Sequence, residues 1–152
     1  MLSATYGIGG VNVSRAAGSK NARAVAEFQG QLMEKSDLSL FFKVEVPNAQ
    51  TGDDQVAKFV GVPYKEGGGV EAALDIQFIM GVSAGVKTEF WEWPGTDFCA
   101  DLHNYTDTLL SDDDTPASNS ISYGWQGDMA RLHCRPEDTA ATDLNFAKLA
   151  AK

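Results

Sequence analysis

The chain has 152 residues, with 12 lysines and arginines against 21 aspartates and glutamates, for a net charge of −9. At 43% apolar and 22% charged residues, its composition excludes a disordered or fibrous protein, and its length suits one domain around one core. The negative balance argues against a nucleic-acid backbone or an anionic membrane surface as partner, because both would repel it.

The opening Met1-Leu2-Ser3-Ala4-Thr5-Tyr6 has neither the basic start nor the long apolar core of a secretory signal, so no targeting signal is expected within this chain. Residues 21–34 place Ala24, Phe28, Gln31 and Leu32 at helical spacing behind a capping Asn21, which predicts a helix. Residues 38–46 are apolar enough for either a helix or a strand. Pro, Asn and Gly-Asp mark 47–54 as loop, and 58–62 reads as a short strand closed by Pro63. Gly67-Gly68-Gly69 opens a predicted helix over 70–83, ended near Gly85. A strand over 86–93 stops at Pro94-Gly95, a helix follows over 98–110, and 111–116 is polar loop. A strand over 118–123 ends at Gly124. The last predicted helix runs from Pro136 to the end, with Glu137 and Asp138 at the positive end of its dipole. Strand and helix alternate three times, so the expected fold class is α/β, a parallel β-sheet built by right-handed crossovers and flanked by helices. No internal repeat or Pro/Ser-rich linker divides the chain. Its longest apolar run, nine residues over 78–86 with Gly and Ser included, is too short to span a bilayer.

The helix over 70–83 carries the most chemical information. Apart from Glu71, Asp75 and Gln77, the stretch 70–80 is apolar all round, which marks a helix buried within an α/β layer. Glu71 and Asp75, four residues apart, project from nearly the same face. Two carboxylates so placed in an apolar interior need hydrogen bonds, and their mutual repulsion favours a shared proton, as acid/base catalysis requires. By spacing alone the same pair also fits an ordinary solvated helix face.

The surrounding residues add a resemblance. Gly69-Val70-Glu71-Ala72-Ala73-Leu74-Asp75-Ile76-Gln77 resembles the catalytic helix of the sedolisin (serine-carboxyl peptidase) family, its tripeptidyl peptidase branch above all, where a Glu-x-x-x-Asp pair sits in a Gly-x-Glu-Ala-x-Leu-Asp-x-Gln context. Ala26-Glu27-Phe28 followed by Ser36-Asp37-Leu38 is similar to the family's pair of early helices, and Pro94-Gly95 follows the next strand as it does there. Asn119-Ser120-Ile121-Ser122-Tyr123-Gly124 is similar to the family's Val-x-Ser-Tyr/Trp-Gly substrate strand. In order and spacing the resemblance runs from about Tyr6 to the end of the chain.

The resemblance implies a partial subtilisin-like fold, with residues 1–152 as the N-terminal portion of a peptidase catalytic domain and no second domain. It implies that Glu71 takes the proton from a nucleophilic serine while Asp75 orients Glu71. It further implies that Ser122, Tyr123 and Gly124 present backbone groups to an extended peptide, the strand-addition mode of recognition. A carboxylate base of this kind works at acidic pH. The family's serine lies in a Gly-Thr-Ser context and its oxyanion aspartate in an Ala-Ser-Gly-Asp-like strand; these 152 residues contain neither. Calcium is implied for the complete family domain at a site outside this sequence, so no cofactor or metal is expected in this chain. A base without nucleophile or oxyanion donor cannot cleave a peptide, so no turnover is expected from the isolated chain. The expected partners are a peptide or protein substrate and the remainder of the catalytic domain, or another chain at the sheet edge. The expected location is lysosomal, vacuolar or extracellular.

Other features have plainer readings. Gly67-Gly68-Gly69 lacks the spacing of a phosphate-binding loop and reads as a turn. Asp112-Asp113-Asp114 lacks the glycine and glutamate of an EF-hand loop and reads as solvated. Cys99 and Cys134 permit one disulfide at most, or two buried thiols. Phe90, Trp91 and Trp93 serve core packing, a substrate pocket or a subunit contact. Asn12-Val13-Ser14 and Asn104-Tyr105-Thr106 are glycosylation sequons. Two competing readings are a non-catalytic peptidase-like module that binds through an exposed sheet edge, and a flavodoxin-like ligand domain using residues 112–114.

Overall fold

The central strand of the sheet, β1 (Arg23–Phe28), occupies sequence in which the apolar spacing predicts a helix. All six of its residues are buried, so the strand is covered on both faces and shows no alternation. The overlooked signal is punctuation: Gln29 and Gly30 both adopt positive φ and turn the chain away from the sheet. Ala26-Glu27-Phe28 therefore belongs to a strand, and of the two early segments only Ser36-Asp37-Leu38 is helical.

The computed structural model describes residues 2–7 and 22–152; Asn12 and Asn21 lie outside them. After the short α1 (Leu2–Thr5) and β1 come α2 (Lys35–Glu45), β2 (Lys58–Val60), α3 (Val70–Val82) and β3 (Thr88–Trp93). Then follow α4 (Phe98–Ser111), β4 (Ser118–Ile121), a 3₁₀ turn (Met129–Leu132) and α5 (Pro136–Leu149). The ambiguous segment 38–46 is thus helix. The described strands form one sheet in the order β2-β3-β1-β4, and every pairing is parallel. This is an α/β architecture, with four strands where the sequence pattern predicts three.

Strand pleating divides the core. Val25 and its register partner Phe90 face Leu38 and Phe42 of α2 and Ala72, Ile76 and Met80 of α3. Ala24, Ala26, Phe28 and Trp91 face the other way, against Tyr105 and Leu109 of α4. α5 is joined to α4 by the Asn145 amide, which donates to Thr106 Oγ1 at 3.0 Å and Asp107 Oδ1 at 2.7 Å. The Cys99–Cys134 disulfide, with Cα atoms 5.5 Å apart, settles the cysteine alternatives as a bridge.

This topology contains a reversal of hand. β1 to β2 crosses two sheet positions with α2 on one face, and β2 returns one position to β3 with α3 on that same face. Reversing direction on one face reverses the hand of the crossover. β3 to β4 reverses direction but changes face, so it keeps the hand of the first connection. The β2–α3–β3 unit is therefore opposite to the other two and, given how nearly universal right-handed crossovers are, is the left-handed one. The expectation of right-handed crossovers throughout fails at the helix that carries Glu71 and Asp75, because apolar spacing specifies a helix without specifying which face of the sheet it covers.

α3 is also less buried than its composition predicts. Ala72, Ile76 and Met80 are inside, whereas Leu74, Phe78 and Val82 are about half exposed (52%, 49% and 50%). The ends of α3 are electrostatically matched. At its C-terminus Arg23, buried and with its pKa lowered to about 10 by desolvation, donates to the Ser83 carbonyl at 3.1 Å; Glu71 sits in its first turn.

Candidate active site

Parallel α/β sheets gather their chemistry at the carboxyl ends of the strands, and the acids of this chain converge there. The loop into α3 passes tightly against the chain leaving β1. Gly69 N–H donates to the Leu32 carbonyl at 2.8 Å, and a Cβ on Gly69 would lie 2.4 Å from Gln31 Oε1. A Cβ on Gly67 would lie 2.7 Å from Leu32. The glycines permit a close backbone approach, which fixes where the first turn of α3 sits above β1. The Glu71 N–H donates to Gln31 Oε1 at 3.3 Å, a further tie between the two.

Glu71 and Asp75 are both half-buried, at the rim rather than in a closed interior. No hydrogen bond joins their carboxyl groups in the structure. Asp75 Oδ2 instead accepts a hydrogen bond from the Ser122 hydroxyl, across 47 residues of sequence. Ser122, Tyr123 and Gly124 follow β4 directly, and Gly124 is exposed with open space at its α-carbon. The base pair expected on α3 and the turn expected to take substrate are therefore neighbours.

Beneath them lies a second pair of acids that no motif or helical spacing in the sequence marks. Glu27 is fully buried, and its register partner across β1 and β3 is Glu92, 4% exposed. Each has an Oε1 atom that is buried and unpartnered. Glu27 Oε2 and the Tyr123 hydroxyl are hydrogen-bonded at 3.0 Å. Burial pushes the Glu27 pKa up to about 8; the Tyr123 hydrogen bond opposes that rise, and the negative charges of Asp75, Glu71 and Glu92 add to it. Burial raises Glu92 as well, against the pull of Lys65. A carboxylic acid that stays neutral at pH 7 thus underlies the two rim carboxylates. Its signal in the sequence was one charged residue inside the apolar run Ala24-Val25-Ala26-Glu27-Phe28, which becomes informative only once that run is a strand buried on both faces.

The aromatic stripe divides by strand alternation. Phe90 lies under α2 and α3, Trp91 under α4, and Trp93 is half-buried with its ring centroid 5.4 Å from that of Tyr105, so these rings pack the core. Phe98, Tyr123 and Trp125 form an adjoining ring cluster, with Phe98 and Trp125 centroids 4.1 Å apart. The acidic loop is not simply solvated: Lys58 pairs with Asp112 at 2.9 Å and Lys87 with Asp114 at 3.3 Å. In the Asn104 sequon Thr106 is fully buried and donates to the His103 carbonyl. A separate cleft of about 590 Å³, lined by Tyr105, Leu109, Asn119, Phe146 and Lys152 among others, lies between β4, α4 and α5, on the opposite face from the acids.

Comparison with known proteins gives one consistent likeness. The chain is 30% identical over 105 residues to tripeptidyl-peptidase 1 of Mus musculus, covering 68% of this chain and 18% of that protein. It is 31% identical over 107 residues to tripeptidyl-peptidase 1 of Homo sapiens (70% and 19%) and 31% over 111 residues to that of Pongo abelii (72% and 20%). The aligned region spans about a fifth of the length of these relatives. No family model and no solved structure matches the chain.

Proposed function

The chain belongs to the sedolisin (serine-carboxyl peptidase) family, and from that membership we propose that it forms the N-terminal portion of the catalytic domain of an acid-acting serine-carboxyl peptidase. In this reading Glu71 is the general base that accepts a serine hydroxyl proton, and Asp75 orients it. Residues 122–124 hold an extended peptide by its backbone, so that the scissile bond lies within reach of Glu71. The serine and the oxyanion aspartate come from polypeptide other than these 152 residues, as does any calcium site. The chain alone therefore does not turn over.

The observation that carries this reading is the Ser122–Asp75 hydrogen bond, which brings the α3 acids and the turn after β4 to one place at the carboxyl edge of the sheet. Glu27 beneath them, its carboxyl pushed up to about 8 by burial, adds no further negative charge to the acids of α3 in the acid range. A lysosomal, vacuolar or extracellular setting agrees with the Cys99–Cys134 bridge, which persists in oxidising compartments.

The test is substitution in the protein that contains this chain together with its serine. Glu71→Gln and Asp75→Asn should each lower turnover of a tripeptide-releasing substrate at acidic pH by roughly 10²-fold or more, with the circular dichroism spectrum unchanged. Wild-type rates in either variant would remove that residue from the mechanism. A second reading, a binding module without catalysis, draws on β4, an edge strand of the described sheet with two exposed and two half-buried residues. It predicts peptide capture by the chain and wild-type behaviour for Glu71→Gln.

A further inference from the structure

Tyr123 stands where the proposed peptide-binding turn meets the buried acids. Its ring is fixed edge-on to Phe28, with centroids 5.1 Å apart and planes at 81°, and stacked on Phe98 at 5.8 Å and 21°. Its hydroxyl has three partners at hydrogen-bonding distance: Glu27 Oε2 at 3.0 Å, the Phe28 carbonyl at 3.1 Å and the Phe28 N–H at 3.2 Å.

A phenol hydroxyl has one proton to donate and two lone pairs to accept with. The Phe28 N–H is a donor and the Phe28 carbonyl an acceptor, whatever the pH. If Glu27 is neutral, its O–H donates to Tyr123, Tyr123 donates to the carbonyl, and all three contacts are hydrogen bonds. If Glu27 is ionised, Tyr123 gives its single proton to one acceptor and the other loses it. The Phe28 carbonyl keeps its bond from the Gln31 N–H at 3.2 Å, so the proton goes to Glu27 and the clasp on the β1 backbone is weakened.

We propose that Tyr123 is a positioning residue whose proton follows the state of Glu27: with Glu27 protonated it ties residues 122–124 to the Phe28 carbonyl at the end of β1, and on ionisation of Glu27 it gives up that carbonyl for the carboxylate and resets the turn. The groups that face Glu27 are Glu71 and Asp75 from α3, Glu92 from β3 and Tyr123 itself, with Lys65 acting on Glu92. The acids among them all disfavour a further negative charge on Glu27, and Tyr123 is the group that donates to it when it ionises. Ser122 lies next along the chain and holds Asp75, so a shift of Tyr123 is carried to the contact that sets Asp75 against the turn. The proton link stands on the geometry alone; its consequence for catalysis rests on the peptidase reading above.

The experiment follows carboxyl and amide resonances by NMR in the 152-residue chain between pH 5 and 10. In the wild type, the Ser122 and Gly124 amides should titrate with the midpoint of the Glu27 carboxyl. Tyr123→Phe keeps the ring and removes the hydroxyl, so the Glu27 midpoint should rise by about one pH unit and the two amides should stop following it. Glu27→Gln should abolish the amide titration while keeping the turn in place. Amides that ignore Glu27 in the wild type, or follow it equally in Tyr123→Phe, would overturn the proposal. Titration with an alanine-rich peptide, read on the same amides, tests the peptide-binding reading independently: the clasp fails in the pH series, the substrate assignment in the peptide series.

Discussion

Glu27 shows how one residue sets the pH dependence of this fold. Its carboxyl is held near 8, above the ordinary value of 4.5, chiefly because it is buried. Between those two values the folded chain keeps a proton that the unfolded chain has released, so stability is full below about pH 4.5 and is lost as pH rises through 8. At about 1.4 kcal/mol per unit, the loss is on the order of 5 kcal/mol. Asp54 and Asp112, held low by hydrogen bonds from Ser39 and Lys58, act in the opposite sense and below that window. Urea denaturation of Glu27→Gln at pH 5, 6.5 and 8 should therefore show a much flatter profile than the wild type. A slope equal to the wild type's would assign the pH dependence to other groups.

At the scale of elements, helices were legible wherever their ends carried chemical punctuation. The α4 helix starts at Asp97, whose side chain accepts from the Ala100 N–H at 3.1 Å. Asp97→Ala should cost about 1 kcal/mol, measurable as a lowered thermal midpoint, and Asp97→Asn should restore most of it. Strands were legible where one flank alternated or ended at Pro or Gly, as β3 does before Pro94-Gly95. β1 was not, because a strand buried on both faces has no period of two to detect, and its spacing matched a helix by coincidence. The acid site is hidden in the sequence for the same reason. Glu71 and Asp75 stood out by their spacing and their motif, whereas Glu27 and Glu92 become a pair only through the register of β1 against β3. A loop has its own counterpart in Gly61, at φ +89°: a Cβ there would lie 2.0 Å from the Glu92 carbonyl oxygen, a close approach that the glycine in the sequence permits but does not announce.

Across the whole molecule, two helical layers are secured differently. The α4–α5 layer is stapled by Cys99–Cys134, which closes a loop of 35 residues. On chain-entropy grounds its removal should cost about 3–4 kcal/mol, read as a fall in thermal midpoint with reductant or in a Cys99→Ala, Cys134→Ala variant. An unchanged midpoint would mean that packing of α5 on α4 already supplies the constraint. The α2–α3 layer has no such staple, and it exposes Leu40, Val44, Leu74, Phe78 and Val82 on its outer side. By itself the sequence determined the α/β class, the positions of most helices, the candidate base pair and its family likeness, because these depend on local spacing and short motifs. Only the tertiary structure decided that β1 is the central strand, that α3 crosses with the opposite hand, and that Ser122, Tyr123, Asp75 and Glu27 meet. Those facts depend on strand order and register, which bring residues 47 and 96 positions apart within hydrogen-bonding distance.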